Sequence, residues 1–166
     1  MALESVSALI LDDNAHMRGL LRVILAGFGV RQIEEASNCA EAIALVKDAQ
    51  IDIAFVDFKL GGQDGIEFCR YIRREPDSPN RWLPIVMVTA YSERSRVVDA
   101  INAGVDEFLV KPVRAVDVAN RVNAIIERRR PFIDRPTYFG PDRRRRDDPR
   151  YKGRWRRSSD PGTIDI

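Results

Sequence analysis

Five polar positions stand at the ends of apolar runs. Asp12 and Asp13 follow Ser7-Ala-Leu-Ile-Leu11, Asp57 ends Ile53-Ala-Phe-Val56, Thr89 ends Ile85-Val-Met-Val88, and Lys111 follows Phe108-Leu-Val110. Each run is short and almost wholly apolar, as a strand buried on both faces of a parallel sheet must be. Open α/β sheets place their chemistry at the carboxyl ends of their strands. Three carboxylates at one such edge repel one another, each pair by roughly 3 kcal/mol at about 5 Å and an effective dielectric near 20. A hard divalent cation relieves that repulsion, and an oxygen-only ligand set with room for water suits Mg²⁺. Lys111 adds a cation and Thr89 a hydroxyl. An acceptor carboxylate, a metal, a cation and a hydroxyl donor are the parts that phosphoryl transfer to an aspartate requires. Taken singly, Asp57 also reads as a solvated strand end and Asp12-Asp13 as a helix N-cap. Their joint order along the chain favours the chemical reading.

The elements between these positions alternate. From Ala15, the residues Met17, Leu20, Leu21, Ile24, Leu25 and Phe28 recur at helical spacing, and Gly27 and Gly29 close the pattern. Residues 32–36 form a brief second strand, and Asn38 caps a helix carrying Ala42, Ile43, Leu45 and Val46. After Asp57 the chain turns through Gly61-Gly62 into a helix over 64–74 with Ile66, Phe68, Cys69 and Ile72. Pro76 to Pro84 is a loop, a helix over about 93–103 ends at Gly104, and Val113 to Arg130 is the last helix. Strands alternating with helices imply right-handed crossovers and a five-stranded parallel sheet between helical layers, a (βα)₅ three-layer sandwich.

Composition fits one ordinary domain with an appendage. The 166 residues are 45% hydrophobic, and no apolar run approaches the length of a membrane helix. No basic segment precedes an apolar one at Met1, so no signal peptide is expected. Cys39 and Cys69 read as small buried hydrophobes in a reducing, cytoplasmic setting. His16, the only histidine, reads as a solvated rim residue. The net charge of +2 conceals a division: residues 1–127 hold 14 Lys/Arg against 19 Asp/Glu, whereas residues 128–157 hold 13 against 4. An acidic body carries a basic extension.

Asp12-Asp13, Asp57 with its Gly-rich turn to Asp64-Gly65, Thr89-Ala90 and Lys111-Pro112 together resemble the receiver domain of bacterial two-component response regulators, over roughly residues 6–128. The resemblance implies a flavodoxin-like fold in which Asp57 accepts a phosphoryl group from a histidine kinase, a phosphotransfer protein or a small phosphodonor. Asp13, Asp57 and the backbone carbonyl of Lys59 would ligate Mg²⁺, with Asp12 acting partly through water. Lys111 would pair with the phosphoryl group, Thr89 would turn inward to bond it, and Phe108 would rotate into the vacated space. The bond before Pro112 would be cis. Lys59 and Tyr91 occupy the positions that set phosphoryl lifetime in the family, and a bulky Tyr91 predicts a slow autophosphatase. Two departures stand out: Gly61 replaces a common proline, predicting a looser turn, and Phe108 lacks the hydroxyl of the frequent tyrosine. The implied role is that of a switch and not an enzyme, beyond its own phosphorylation and slow dephosphorylation. Its output would be contact with a downstream protein, or with a second copy of this chain, through the fourth helix, fifth strand and fifth helix.

Residues 1–130 thus read as the receiver and 131–166 as a Pro/Arg-rich extension, irregular or disordered. Its prolines are too frequent for a helix, and it holds no second apolar pattern long enough for a helix-turn-helix. Three readings stay open for it: a solvated tail; a tail anchored by Phe132, Tyr138, Phe139 and Trp155; or a nucleic-acid contact in which arginines interleave with Tyr151 and Trp155. The last would make the protein a nucleic-acid-binding regulator gated by its receiver.

Overall fold

The computed structural model describes residues 3–90 and 95–143, and the backbone of 163–164. Its centre is a parallel sheet of β1 (Ser7–Leu11), β2 (Gln32–Ala36), β3 (Ile53–Asp57), β4 (Ile85–Thr89) and β5 (Glu107–Val110), in spatial order β2-β1-β3-β4-β5. The all-apolar runs occupy its middle: β1, β3 and β4 are buried at every residue. Because strand side chains alternate, each strand feeds two cores. Leu9, Leu11, Ala54, Val56, Ile85 and Met87 face α2 (Cys39–Asp48), α3 (Gly65–Arg74) and α4 (Val97–Ala103). Ala8, Ile10, Ile53, Phe55, Val86 and Val88 face α1 (Ala15–Gly27) and α5 (Ala115–Arg128). The expected (βα)₅ three-layer sandwich is the fold.

Local chemistry fixes the helix ends. Asn14 caps α1 by accepting from the His16 and Met17 amides, and Asn38 caps α2 by accepting from Glu41, whose carboxylate bonds back to Ser37. Helix α5 is shorter than expected at both ends. Arg114 is extended at its N-cap, and Arg129 leaves helical geometry just before Arg130, whose helical conformation Pro131 disfavours. The helix expected over 93–103 is described from Val97, and Tyr91 to Arg94 lie outside the described residues. Cys39 and Cys69 are both free and buried.

The described part of the extension, residues 131–143 and 163–164, departs from expectation. In place of irregular chain, β6 (Phe132–Arg135) and β7 (Tyr138–Pro141) form an antiparallel hairpin through Pro136-Thr137, and residues 163–164 add a third strand, β8, beside β6. The prolines forbid a helix but suit this design, one before the first strand, one in the turn and one at the end of the second. Phe132, Tyr138 and Phe139 are buried against the (βα)₅ body, as the anchored reading requires. Trp155 and Tyr151, on which the rest of that reading and the nucleic-acid reading depend, lie outside the described residues.

Candidate functional site

The parallel sheet brings the strand tips together. Asp57, at the end of β3, is 6% exposed and Asp12, just past β1, 1% exposed, while Asp13 lies open at the rim. One carboxylate oxygen from each of the three falls within 4.8 Å of the others. Lys111 Nζ lies 2.8 Å from Asp57 Oδ1 and 4.0 Å from Asp12 Oδ2. The Lys111 amide donates to the Thr89 carbonyl at 2.9 Å, which ties the two strand ends, and Thr89 itself is buried. The Lys111–Pro112 bond is cis. Phe108 is half-buried against the core beneath α4, and His16 is exposed outside the cluster.

Burial dominates the electrostatics. Asp57 is pushed up to about 6, first by desolvation and then by the Asp12 and Asp13 charges, against the pull of Lys111. Asp12 is likewise raised by burial, although the Asn14 amide donates to its Oδ1 at 2.8 Å. Asp12 Oδ2 is buried and accepts no hydrogen bond among the described residues. A buried carboxylate oxygen without a donor, beside two further carboxylates, fits a hard cation. Asp12, Asp13 and Asp57 would hold it.

The turn after Asp57 is more ordered than a bare Gly-rich loop. Lys59–Leu60 pairs antiparallel with Gln63–Asp64 across Gly61 and Gly62, both at positive φ (55° and 118°). A Cβ on Gly61 would stand 3.0 Å from Asp13 Oδ2, so the glycine makes room for the rim carboxylate. Gly65 has a sharper constraint, since a Cβ there would meet the Asp57 carbonyl at 2.1 Å.

Two contributors escaped the sequence reading. Arg18 donates to the Asp12 main-chain carbonyl at 2.8 Å, bracing the acidic turn from α1. Arg96, just before α4, makes a two-pronged pair with Asp64 at 2.7 and 3.1 Å, and its guanidinium lies 5.0 Å from the Phe58 ring centre. Neither is periodic or part of a motif. Only the spacing of Arg18 six residues past Asp12 on a helix offered a signal.

Comparison with known proteins agrees with the geometry. The family model for the response regulator receiver domain matches residues 8–123. The transcriptional regulatory protein ResD of Bacillus subtilis is 39% identical over 120 residues, covering 72% of this chain and 48% of ResD. Chemotaxis protein CheY-3 of Vibrio cholerae is 30% identical over 125 residues, 75% of this chain and 95% of CheY-3. The chain therefore spans about half the length of the first relative and nearly all of the second. A solved structure from Chloroflexus aurantiacus, assigned as a response regulator, superposes with a TM-score of 0.67 at 29% identity, over 74% of this chain and 98% of that one. No helix among the described residues is long and apolar enough to cross a membrane. With the fold, the acidic strand-tip cluster and these kinships in accord, the chain belongs to the response regulator receiver domain family, the phosphorylation-dependent signalling switches of two-component systems.

Proposed function

We propose that Asp57 is the phosphoryl acceptor of this switch. The observation that carries the reading is its setting: a buried carboxylate held 2.8 Å from Lys111 Nζ, beside a second buried carboxylate whose Oδ2 has no donor among the described residues. Near neutral pH Asp57 is mainly ionised, because its titration lies at about 6. Its oxygen attacks phosphorus and forms the O–P bond. The P–N bond of a phosphohistidine, or the P–O bond of acetyl phosphate, breaks with its electron pair on the leaving atom. Bound Mg²⁺, on Asp13, Asp57 and the Lys59 carbonyl with Asp12 partly through water, would neutralise the phosphoryl oxygens. Lys111 follows the phosphoryl group, Thr89 bonds it, and Phe108 takes up the space that Thr89 leaves. The chain acts on no other substrate and only slowly reverses its own modification.

The donor is a histidine kinase or phosphotransfer protein, and the kinship supports a cytoplasmic setting. The output face runs over α4, β5 and α5, where Val98 and Val110 are 61% and 51% exposed. A downstream protein, or a second copy of this chain, would cover them.

Acetyl phosphate with Mg²⁺ is expected to label the wild type, and the label is expected to vanish in Asp57→Asn and in excess chelator. Equal labelling of Asp57→Asn, read by intact mass, would refute the assignment. Tyr91 belongs to the same proposal as a shield against water. Its replacement by Ala should shorten the phosphoryl half-life, followed by loss of label after removal of the donor. An unchanged half-life sinks the shielding role.

A further inference from the structure

Helix α4 is held differently at its two ends. At its C-terminal end, Gly104 takes a left-handed φ of 94°, and the hairpin backbone lies directly on it. A Cβ on Gly140 would stand 2.8 Å from Gly104 Cα, and one on Gly104 would stand 2.9 Å from the Phe139 carbonyl. Beneath this contact is a buried charge network. Asp106, 3% exposed, accepts from Arg73 Nη2 at 2.8 Å, the Ile85 amide at 2.9 Å and Arg129 Nε at 3.1 Å. Arg73, fully buried, also donates to the Gly104 carbonyl at 3.0 Å. Phe132 of the hairpin, fully buried too, lies 5.1 Å from the Arg73 guanidinium and 4.6 Å from that of Arg129. A satisfied network of this kind is rigid.

The N-terminal end of α4 has no such support among the described residues. It is held by the Arg96–Asp64 pair, whose side chains are 42% and 36% exposed. Exposed pairs contribute little and are screened by salt. Arg96 also leans on Phe58, the residue that follows Asp57. One end of the helix is therefore built in, and the other is latched beside the acceptor.

We propose that the C-terminal hairpin clamps α4 at Gly104 and makes that end a hinge, so that switching at Asp57 displaces the Arg96 end. The hairpin lies beyond residue 123, where the family match stops, so the clamp is a device of this chain's extension. The switching clause rests on the acceptor role of Asp57; the clamp does not.

Amide hydrogen exchange of the full chain separates the two. In wild type, acetyl phosphate with Mg²⁺ should speed exchange over residues 95–99 by about tenfold or more and leave 101–105 within about twofold. In unphosphorylated Gly140→Ala, whose new methyl collides with Gly104, exchange over 101–105 and 132–141 should rise together by about tenfold or more, while α1 keeps its protection. Hairpin amides that are unprotected in wild type would overturn the clamp. So would a Gly140→Ala protein in which 132–141 loosens and 101–105 does not, or in which neither changes. Equal acceleration at both ends of α4 on phosphorylation would overturn the hinge. Absence of label in wild type would remove the acceptor reading alone, with the Gly140→Ala result still deciding the clamp. Should Gly140→Ala unfold α1 as well, Phe132→Leu, which removes the ring between two guanidiniums but keeps an apolar side chain, carries the same test.

Discussion

Asp106→Ala is expected to destabilise the fold by about 3–5 kcal/mol, the cost of removing one partner from a buried ion network. Among the described residues, Asp106 is the carboxylate that pairs with Arg73 and Arg129. Burial pulls the Arg129 guanidinium below its ordinary value, and Asp106 holds it up. Without the carboxylate, a fully buried Arg73 keeps its bonds to the Gly104, Arg81 and Leu83 carbonyls but loses its counter-charge. The Ile85 amide, at the head of a central strand, also loses its acceptor. Asp106→Asn keeps one acceptor oxygen and should cost less. Urea denaturation of the three proteins measures the series, and a loss below about 1 kcal/mol for Asp106→Ala would mean that the arginines are solvated.

The contrast between this network and the strand-tip site shows where sequence is informative. Asp12, Asp57, Thr89 and Lys111 each terminate an uninterrupted apolar run, and period and polarity both change at those points. The parallel sheet then has one way to align them. Asp13 and Gly61 follow from the same reading, although the contact between them does not. Arg73 and Asp106 carry no comparable mark. Arg73 follows Ile72 at the end of α3, where a basic residue reads as a surface partner of the helix dipole. Asp106 precedes β5 like any turn former. Their pairing spans 33 residues, and Phe132 reaches Arg73 from 59 positions away. Such contacts have no periodicity to detect. The hairpin is hidden for another reason: Pro131, Pro136 and Pro141 exclude a helix, and that exclusion does not distinguish a hairpin from irregular chain. The burial of Phe132, Tyr138 and Phe139 comes from packing onto the receiver, which local pattern does not encode.

Removing the Asp57 charge should stabilise the metal-free protein, the opposite of its effect on labelling. Asp57 titrates at about 6 in the fold against an ordinary value of 3.8, and burial is the leading cause. A carboxyl raised on folding binds more protons native than unfolded between those two values. Stability therefore falls as pH climbs from about 4 to 6, and the penalty stays in full above 6. Its size at pH 7.5 is of order 2–3 kcal/mol, net of the Lys111 pairing. Asn at this position carries no charge to desolvate, so Asp57→Asn should be more stable than wild type by about that amount in chelator. The gap should close as pH approaches 4, where wild-type Asp57 is protonated as well. Asp12 is also raised, with burial as the leading cause, and that burial is common to both proteins. Saturating Mg²⁺ should narrow or reverse the gap, because a ligand that binds the native acidic cluster and not the unfolded chain stabilises the fold increasingly as its concentration exceeds its Kd. Urea titrations at pH 7.5 and pH 4.5, each with chelator and with Mg²⁺, give the comparison. If Asp57→Asn is the less stable protein at pH 7.5 in chelator, the buried carboxylate is stabilised by Lys111 more than burial penalises it. Mg²⁺ would then be unnecessary for the native charge balance, and its role would be confined to the transfer step.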